Sequence, residues 1–175
     1  MKFKRIIVIA LFAALLCIFA PIAFPIGPVP LSLATFIIYI TSGMLTTKSV
    51  FVVLLYILIG AVGLPVFSYG TGGFEKLIGP TGGFIWGYLI CALICGYIIK
   101  CFYSSCIMTV TAFVIGTLAL YVIAMVWFYL YTGGTFLASL FVCTVVFIPA
   151  DIIKIVCAAS LLRIIRKRIH ISKHI

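Results

Sequence analysis

Two ionisable side chains interrupt a long apolar run toward the end of the chain, in Pro149-Ala-Asp151-Ile-Ile-Lys154. Residues three apart share one face of a helix, so this carboxylate and ammonium can partly neutralise each other. A charge at the centre of a membrane helix costs about 2.5–3.5 kcal/mol on insertion scales, and apolar residues of similar volume often replace a buried ion pair without loss of stability. The pair therefore points to a binding role. One acceptor and one donor suit a small, rather apolar molecule with a compact polar head. A cyclic urea is such a head: its N–H groups would meet Asp151 and its carbonyl Lys154. The alternative is a structural or assembly subunit with no ligand, whose ion pair only sets helix packing. Pro149 frees the carbonyl of Val145 and predicts a kink there.

Other chemistry finds little support in the residues. Glu75 and Asp151 are the only acids and lie in different regions, and both histidines, His170 and His174, sit in a basic tail. No acid–base pair, nucleophilic triad or metal set can be assembled from them. The seven cysteines lie mostly in apolar runs. Cys91 and Cys95 are one helical turn apart but have no histidine or carboxylate nearby, so they read as small buried hydrophobes. Gly43-Met-Leu-Thr-Thr-Lys48-Ser49 lacks the glycine that precedes the lysine of a phosphate loop. The expectation is a non-enzyme with no cofactor and no metal, which needs a partner's energy for any uphill transport.

The elements that must position the pair follow from composition. Of 175 residues, 66% are apolar and 8% charged, with a mean hydropathy of +1.46. Soluble domains carry about 25% charged residues, so a soluble enzyme, a disordered chain and a secreted disulfide scaffold are excluded. About 115 apolar residues provide five or six spans of roughly 20 residues. The runs are Ile6–Phe24, Leu31–Leu45, Ser49–Leu64, Phe84–Ile99, Ile107–Leu130 and Phe136–Leu162. Several are short, which predicts that parts of the loops also sit at membrane depth. The fold expected is all-α, with six transmembrane helices and partly buried outward loops.

Charge placement orients these spans. Lys2, Lys4, Arg5, Lys48, Lys100, Arg163, Arg166, Lys167, Arg168 and Lys173 fall on one side, and Lys76 alone on the other. By the positive-inside rule both termini are cytoplasmic in a multi-pass protein of the cell inner or plasma membrane. The same distribution, confined to ends and short connections, argues against nucleic acid as a partner of the net charge of +10. The basic start and first apolar run read as a retained helix rather than a cleaved leader.

The outward connections are apolar yet unsuited to helix. Pro21 to Pro30 holds four prolines and a glycine, a backbone tolerated at membrane depth where it is buried or lines a cavity. Glycines at 60, 63, 70, 72, 73, 79, 82 and 83, interleaved with Phe67, Tyr69, Phe74 and Trp86, predict a packed lid whose bare amides approach a ligand. Glu75 and Lys76 mark that lid. Ala10 and Ala14, and Gly83 and Gly87, have small-xxx-small spacing, which permits close helix approach inside the molecule or to a partner.

Several blocks together resemble the BioY family: Gly27-Pro28-Val29-Pro30-Leu31-Ser32-Leu33, Gly63-Leu64-Pro65-Val66-Phe67, Gly70-Thr71-Gly72-Gly73 and Leu77-Ile78-Gly79-Pro80-Thr81-Gly82-Gly83-Phe84, completed by Pro149-Ala-Asp151-Ile-Ile-Lys154. They occur in the family's order and spacing and cover nearly the whole chain. The resemblance implies one transmembrane domain over residues 1–175, the six-helix S component of an energy-coupling-factor transporter, with biotin as ligand. It implies a site built by the outward loops and last helix, from Pro28, Pro30, Ser32, Gly70, Thr71, Gly72, Gly73, Gly79, Thr81, Gly82, Asp151 and Lys154. The partners implied are a transmembrane coupling protein, docked against Ala10 and Ala14, two cytoplasmic ATPase subunits, and the lipid bilayer around the chain. Where the family usually has threonine and glutamine this chain has Ser32 and Ala34, which removes one amide from the first motif. A related vitamin or a biotin precursor is the alternative ligand.

Overall fold

The computed structural model describes residues 2–25, 29–103 and 105–168. The first helix, α1 (Lys2–Phe19), ends before Pro21 rather than running on to Phe24, because proline has no N–H to continue the ladder. The proline-rich segment then makes a minimal hairpin, a feature the all-helical reading omitted. Strands β1 (Ala23–Phe24) and β2 (Leu31–Ser32) pair antiparallel, with Ala23 opposite Ser32 and Phe24 opposite Leu31. Leu33 N–H extends the contact to the Ile22 carbonyl at 3.2 Å. Flanking prolines lack donors, which keeps the ladder short.

Helices α2 (Ala34–Leu45) and α3 (Ser49–Ala61) are joined by a 3₁₀ turn, Thr46–Lys48. Thr46 adopts φ 51° and reverses the chain. Ser42 and Ser49 hydroxyls consequently meet at 3.2 Å, although seven residues of straight helix would separate them by about 10 Å. At 12 and 13 residues the two helices reach about 18–20 Å, short of a hydrocarbon core of about 30 Å. The loops beyond them complete the passage.

Helix α4 (Phe74–Ile78) is a short helix anchored by buried Leu77, with Phe74, Glu75 and Ile78 exposed, followed by α5 (Gly82–Cys101) and α6 (Cys106–Thr132). The α5–α6 hairpin is close because glycine faces it: side chains at Gly83 and Gly87 would strike Trp127 and Leu120 of α6. That small-residue pair is thus an internal contact. Cys91 and Cys95 are fully buried beneath Gly116, and Cys95 Sγ–H donates to the Ala112 carbonyl at 3.2 Å.

The last passage is broken where proline predicts it. Helix α7 (Phe136–Leu140) runs into a π turn, Phe141–Val145, in which Val146 N–H reaches back five residues to Phe141. Helix α8 (Ile148–Arg168) then begins, with Pro149 in its first turn, where a missing N–H costs no intrahelical bond. The helical runs Ala34–Ala61, Gly82–Cys101, Cys106–Thr132 and Phe136–Lys167 have the length and hydropathy of membrane segments. The first of them is two passages, and with α1 the chain crosses six times.

The bundle has two unlike ends. One carries Lys48, Lys100 and the end of α8, knit together by Arg166, which donates to the Gly43 carbonyl at 2.7 Å and the Tyr103 carbonyl at 3.3 Å. The other carries the β hairpin, the turn Ser68–Gly70 and α4. Between them lies one apolar core around Leu16, Ile38, Tyr39, Val52, Tyr56, Phe113, Leu120 and Leu162.

Candidate functional site

Asp151 lies in the first turn of α8, where the helix dipole favours a carboxylate. Lys154 follows one turn later, and their side chains meet at 2.9 Å. They are 4% and 8% exposed, so every polar atom needs a partner. All are supplied from neighbouring elements. Lys154 Nζ donates to the Ser32 carbonyl at 2.8 Å, Asp151 Oδ1 at 2.9 Å and Thr35 Oγ1 at 3.1 Å, which uses its three protons. Thr35 in turn donates to Oδ1 at 3.4 Å, and Tyr121 O–H donates to Oδ2 at 2.6 Å. The pair ties α8 to α2, α6 and the hairpin. A void of about 10 Å³ adjoins it, which is at most the room of one water.

A larger cavity of about 260 Å³ opens toward the loop end of the bundle. This is just below the roughly 300–1,000 Å³ of typical small-molecule pockets. Its walls are largely aromatic, from Tyr56, Phe67, Tyr69, Phe84 and Tyr88, with Pro30, Thr71, Pro80, Thr81 and Lys76 among the remainder. Pro30, Phe84 and Tyr88 also line the small void beside Asp151 and Lys154. They form a partition one side chain thick. Ser32 and Tyr88 share a 3.2 Å hydrogen bond across it. The pair therefore stands behind the cavity and is closed off from it in this conformation.

Of the residues singled out by sequence, the structure brings Pro30, Ser32, Thr71, Thr81, Asp151 and Lys154 to the cavity or to the void behind it. Pro28 lies outside the described residues. Gly70, Gly72, Gly73, Gly79 and Gly82 are not among the residues that line the cavity or the void, and several of their amides are already bonded. The N–H groups of Gly70, Gly73, Gly79 and Gly82 donate to the carbonyls of Phe67, Gly60, Glu75 and Gly79. Gly72 and Gly82 allow close backbone crossings: a Cβ at either would collide with the Leu64 or Leu77 carbonyl. The lid is packed, and indole N–H groups pin it: Trp127 donates to the Gly79 carbonyl at 2.9 Å and Trp86 to the Leu77 carbonyl at 3.3 Å. Far from this site, Ala10 and Ala14 are exposed on the outer face of α1, while Ala13 between them is buried.

Sequence reasoning overlooked Thr35, Tyr88 and Tyr121. Thr35 follows the hairpin motif directly and was open to notice. Tyr88 and Tyr121 sit inside long apolar runs with no local signal of a polar role. Their hydroxyls gain meaning only when the fold sets them against Ser32 and Asp151.

Comparison with known proteins now bears on this geometry. The profile of the BioY family matches residues 1–171. Biotin transporter BioY2 of Lactococcus lactis subsp. cremoris is 31% identical over 175 residues, covering 99% of this chain and 96% of that protein. A probable biotin transporter BioY of Pyrococcus horikoshii is 35% identical over 156 residues, covering 88% and 91%. The crystal structure of the S-component for biotin from an ECF-type ABC transporter matches with a TM-score of 0.87 at 27% identity, covering 95% of this chain and 92% of that one. With sequence and fold both matched almost end to end, the chain belongs to the BioY family.

Proposed function

We propose that this chain is the biotin-binding S component of an energy-coupling-factor transporter and mediates biotin uptake. The observation that carries the reading is the saturated Asp151–Lys154 network set directly behind an aromatic cavity in a membrane protein. Biotin joins a compact cyclic urea to an apolar ring and a carboxylate tail. The urea lies at the deep end, its N–H groups toward Asp151 and its carbonyl toward Lys154. Reaching them requires Phe84 and Tyr88 to swing aside and the Ser32–Tyr88 bond to break. The ring then lies among the aromatic walls, and the tail carboxylate reaches Lys76 near the mouth.

Residues 1–175 act as one transmembrane unit with both termini cytoplasmic and the cavity outward. A transmembrane coupling protein docks on the exposed Ala10–Ala14 face, and two cytoplasmic ATPase subunits supply the energy. A ligand-free structural subunit is the competing reading, favoured by the completeness of the network without a ligand. Titration of the purified protein with biotin and with its precursors, followed calorimetrically, separates the two. Saturable binding at or below micromolar biotin is expected, weaker for precursors that lack the closed rings. Absence of heat at micromolar biotin would overturn the assignment.

A further inference from the structure

A second cleft, of about 530 Å³, lies at the opposite, basic end between α6, α8 and the α5–α6 connection. Its polar wall is Arg163, Arg166 and Lys167, with Tyr103 and Thr109 facing them and Leu162 deeper. Arg166 is partly buried and held by neutral groups alone. It donates to the Gly43 and Tyr103 carbonyls and to Thr109 Oγ1 at 3.3 Å, and its guanidinium lies 4.6 Å over the Tyr103 ring. Its buried Nε finds no partner. Among the described residues the single ion pair is Asp151–Lys154, so these three cations have no counter-charge within the bundle. Arg163 and Lys167 make no hydrogen bond among the described residues and are exposed at the rim.

Three cations on one cleft call for an anion with several acceptor oxygens, and a guanidinium fork matches phosphate geometry. The surroundings select the source. The cleft sits at the end of membrane-crossing helices, beside an aromatic residue of the kind that marks the membrane interface. Next in sequence to the lining residues Cys106, Leu162 and Arg163, the apolar side chains of Ile107, Leu161 and Ile164 are 77%, 38% and 56% exposed. A free phosphate would leave that apolar surface unused, whereas a lipid uses both it and the cations. We propose that this cleft is a binding site for the phosphate headgroup of an anionic phospholipid, with its acyl chains lying along α6 and α8. Basic pockets between membrane helices suit such headgroups. The lipid neutralises the end of α8 and holds it against α2 and the α5–α6 connection.

The test is native mass spectrometry of the purified full chain in detergent, titrated with dioleoyl phosphatidylglycerol or with the phosphatidylcholine of identical chains. One phosphatidylglycerol is expected to be retained preferentially. R163Q/K167Q leaves the bonds of Arg166 in place and should weaken that binding about 30-fold. K4Q/K100Q removes the same charge from the same end outside the cleft and should change it less than about 3-fold. Equal retention of phosphatidylcholine would overturn the site, as would an unchanged R163Q/K167Q or an equal loss in K4Q/K100Q. Inorganic phosphate bound as tightly as phosphatidylglycerol would overturn the lipid assignment.

Discussion

At the scale of single residues, Asp151 and Lys154 serve either packing or a ligand, and the energetics of buried pairs distinguish the two. Breaking a buried pair leaves an uncompensated charge and costs about 3–5 kcal/mol, whereas replacing both partners by apolar groups is often neutral or stabilising by about 1–4 kcal/mol. Asp151→Asn should therefore lower the melting temperature of the purified protein and greatly weaken biotin binding. D151N alone confounds stability with binding. D151N/K154M separates the two, because it leaves no uncompensated charge: it should melt above D151N and still fail to bind biotin by calorimetry. Unchanged affinity in that double variant would take the pair out of the site. Tyr121 and Thr35 complete the same network, Tyr121 through a short bond to the carboxylate and Thr35 through a longer one. Such hydroxyl contacts hold the acceptor oxygens in place for whichever donor arrives.

Among the elements, α1 is distinctive because it shows two faces. Ala13, Leu16 and Ala20 are buried against the core, whereas Ile7, Ala10, Leu11, Ala14 and Ile18 face outward. Small residues on an outward face give a partner helix close approach without disturbing the interior. Replacing Ala10 and Ala14 with leucine should leave the biotin affinity of the isolated protein within about twofold, because neither side chain is near the cavity. Partner-driven uptake in cells should fall sharply. Uptake of labelled biotin and calorimetry on the same variant make the comparison, and preserved uptake would remove the docking assignment. The other small-residue pair behaves differently: Gly83 and Gly87 face α6 and fix the α5–α6 distance. Spacing alone did not distinguish the two pairs; burial does.

For the whole molecule, the separation of its two ends matters most. Ten of the twelve basic residues belong to one side by sequence, and the fold gathers the described turns of that side at one end of the bundle, with the aromatic cavity at the other. A cytoplasmic basic end makes a direct prediction for intact cells. A membrane-impermeant maleimide should label a single cysteine placed at Glu75, which is exposed on α4. It should leave Cys101 and Cys106, exposed beside the α5–α6 connection, unlabelled until the membrane is opened. The reverse pattern would invert the orientation and place the cavity inside.

The sequence by itself determined the membrane as solvent, six crossings, the non-helical Pro21–Pro30 segment, the break at Pro149, and the ion pair worth pursuing. These follow from hydropathy, proline chemistry and the cost of burying charge, which act locally along the chain. It also identified the family's motifs in Pro30, Ser32, Thr71 and Thr81. Only the structure showed that most of the lid glycines turn their amides to carbonyls: Gly70, Gly79 and Gly82 close local turns onto Phe67, Glu75 and Gly79, and Gly73 reaches back to the end of α3 at Gly60. Only the fold showed that Tyr121, 30 residues from Asp151 by number, bonds its carboxylate, and that Tyr88, 63 residues away, stands with Ser32 between the pair and the cavity. A hydroxyl in an apolar helix carries no signal of its partner until packing sets the two within hydrogen-bond reach.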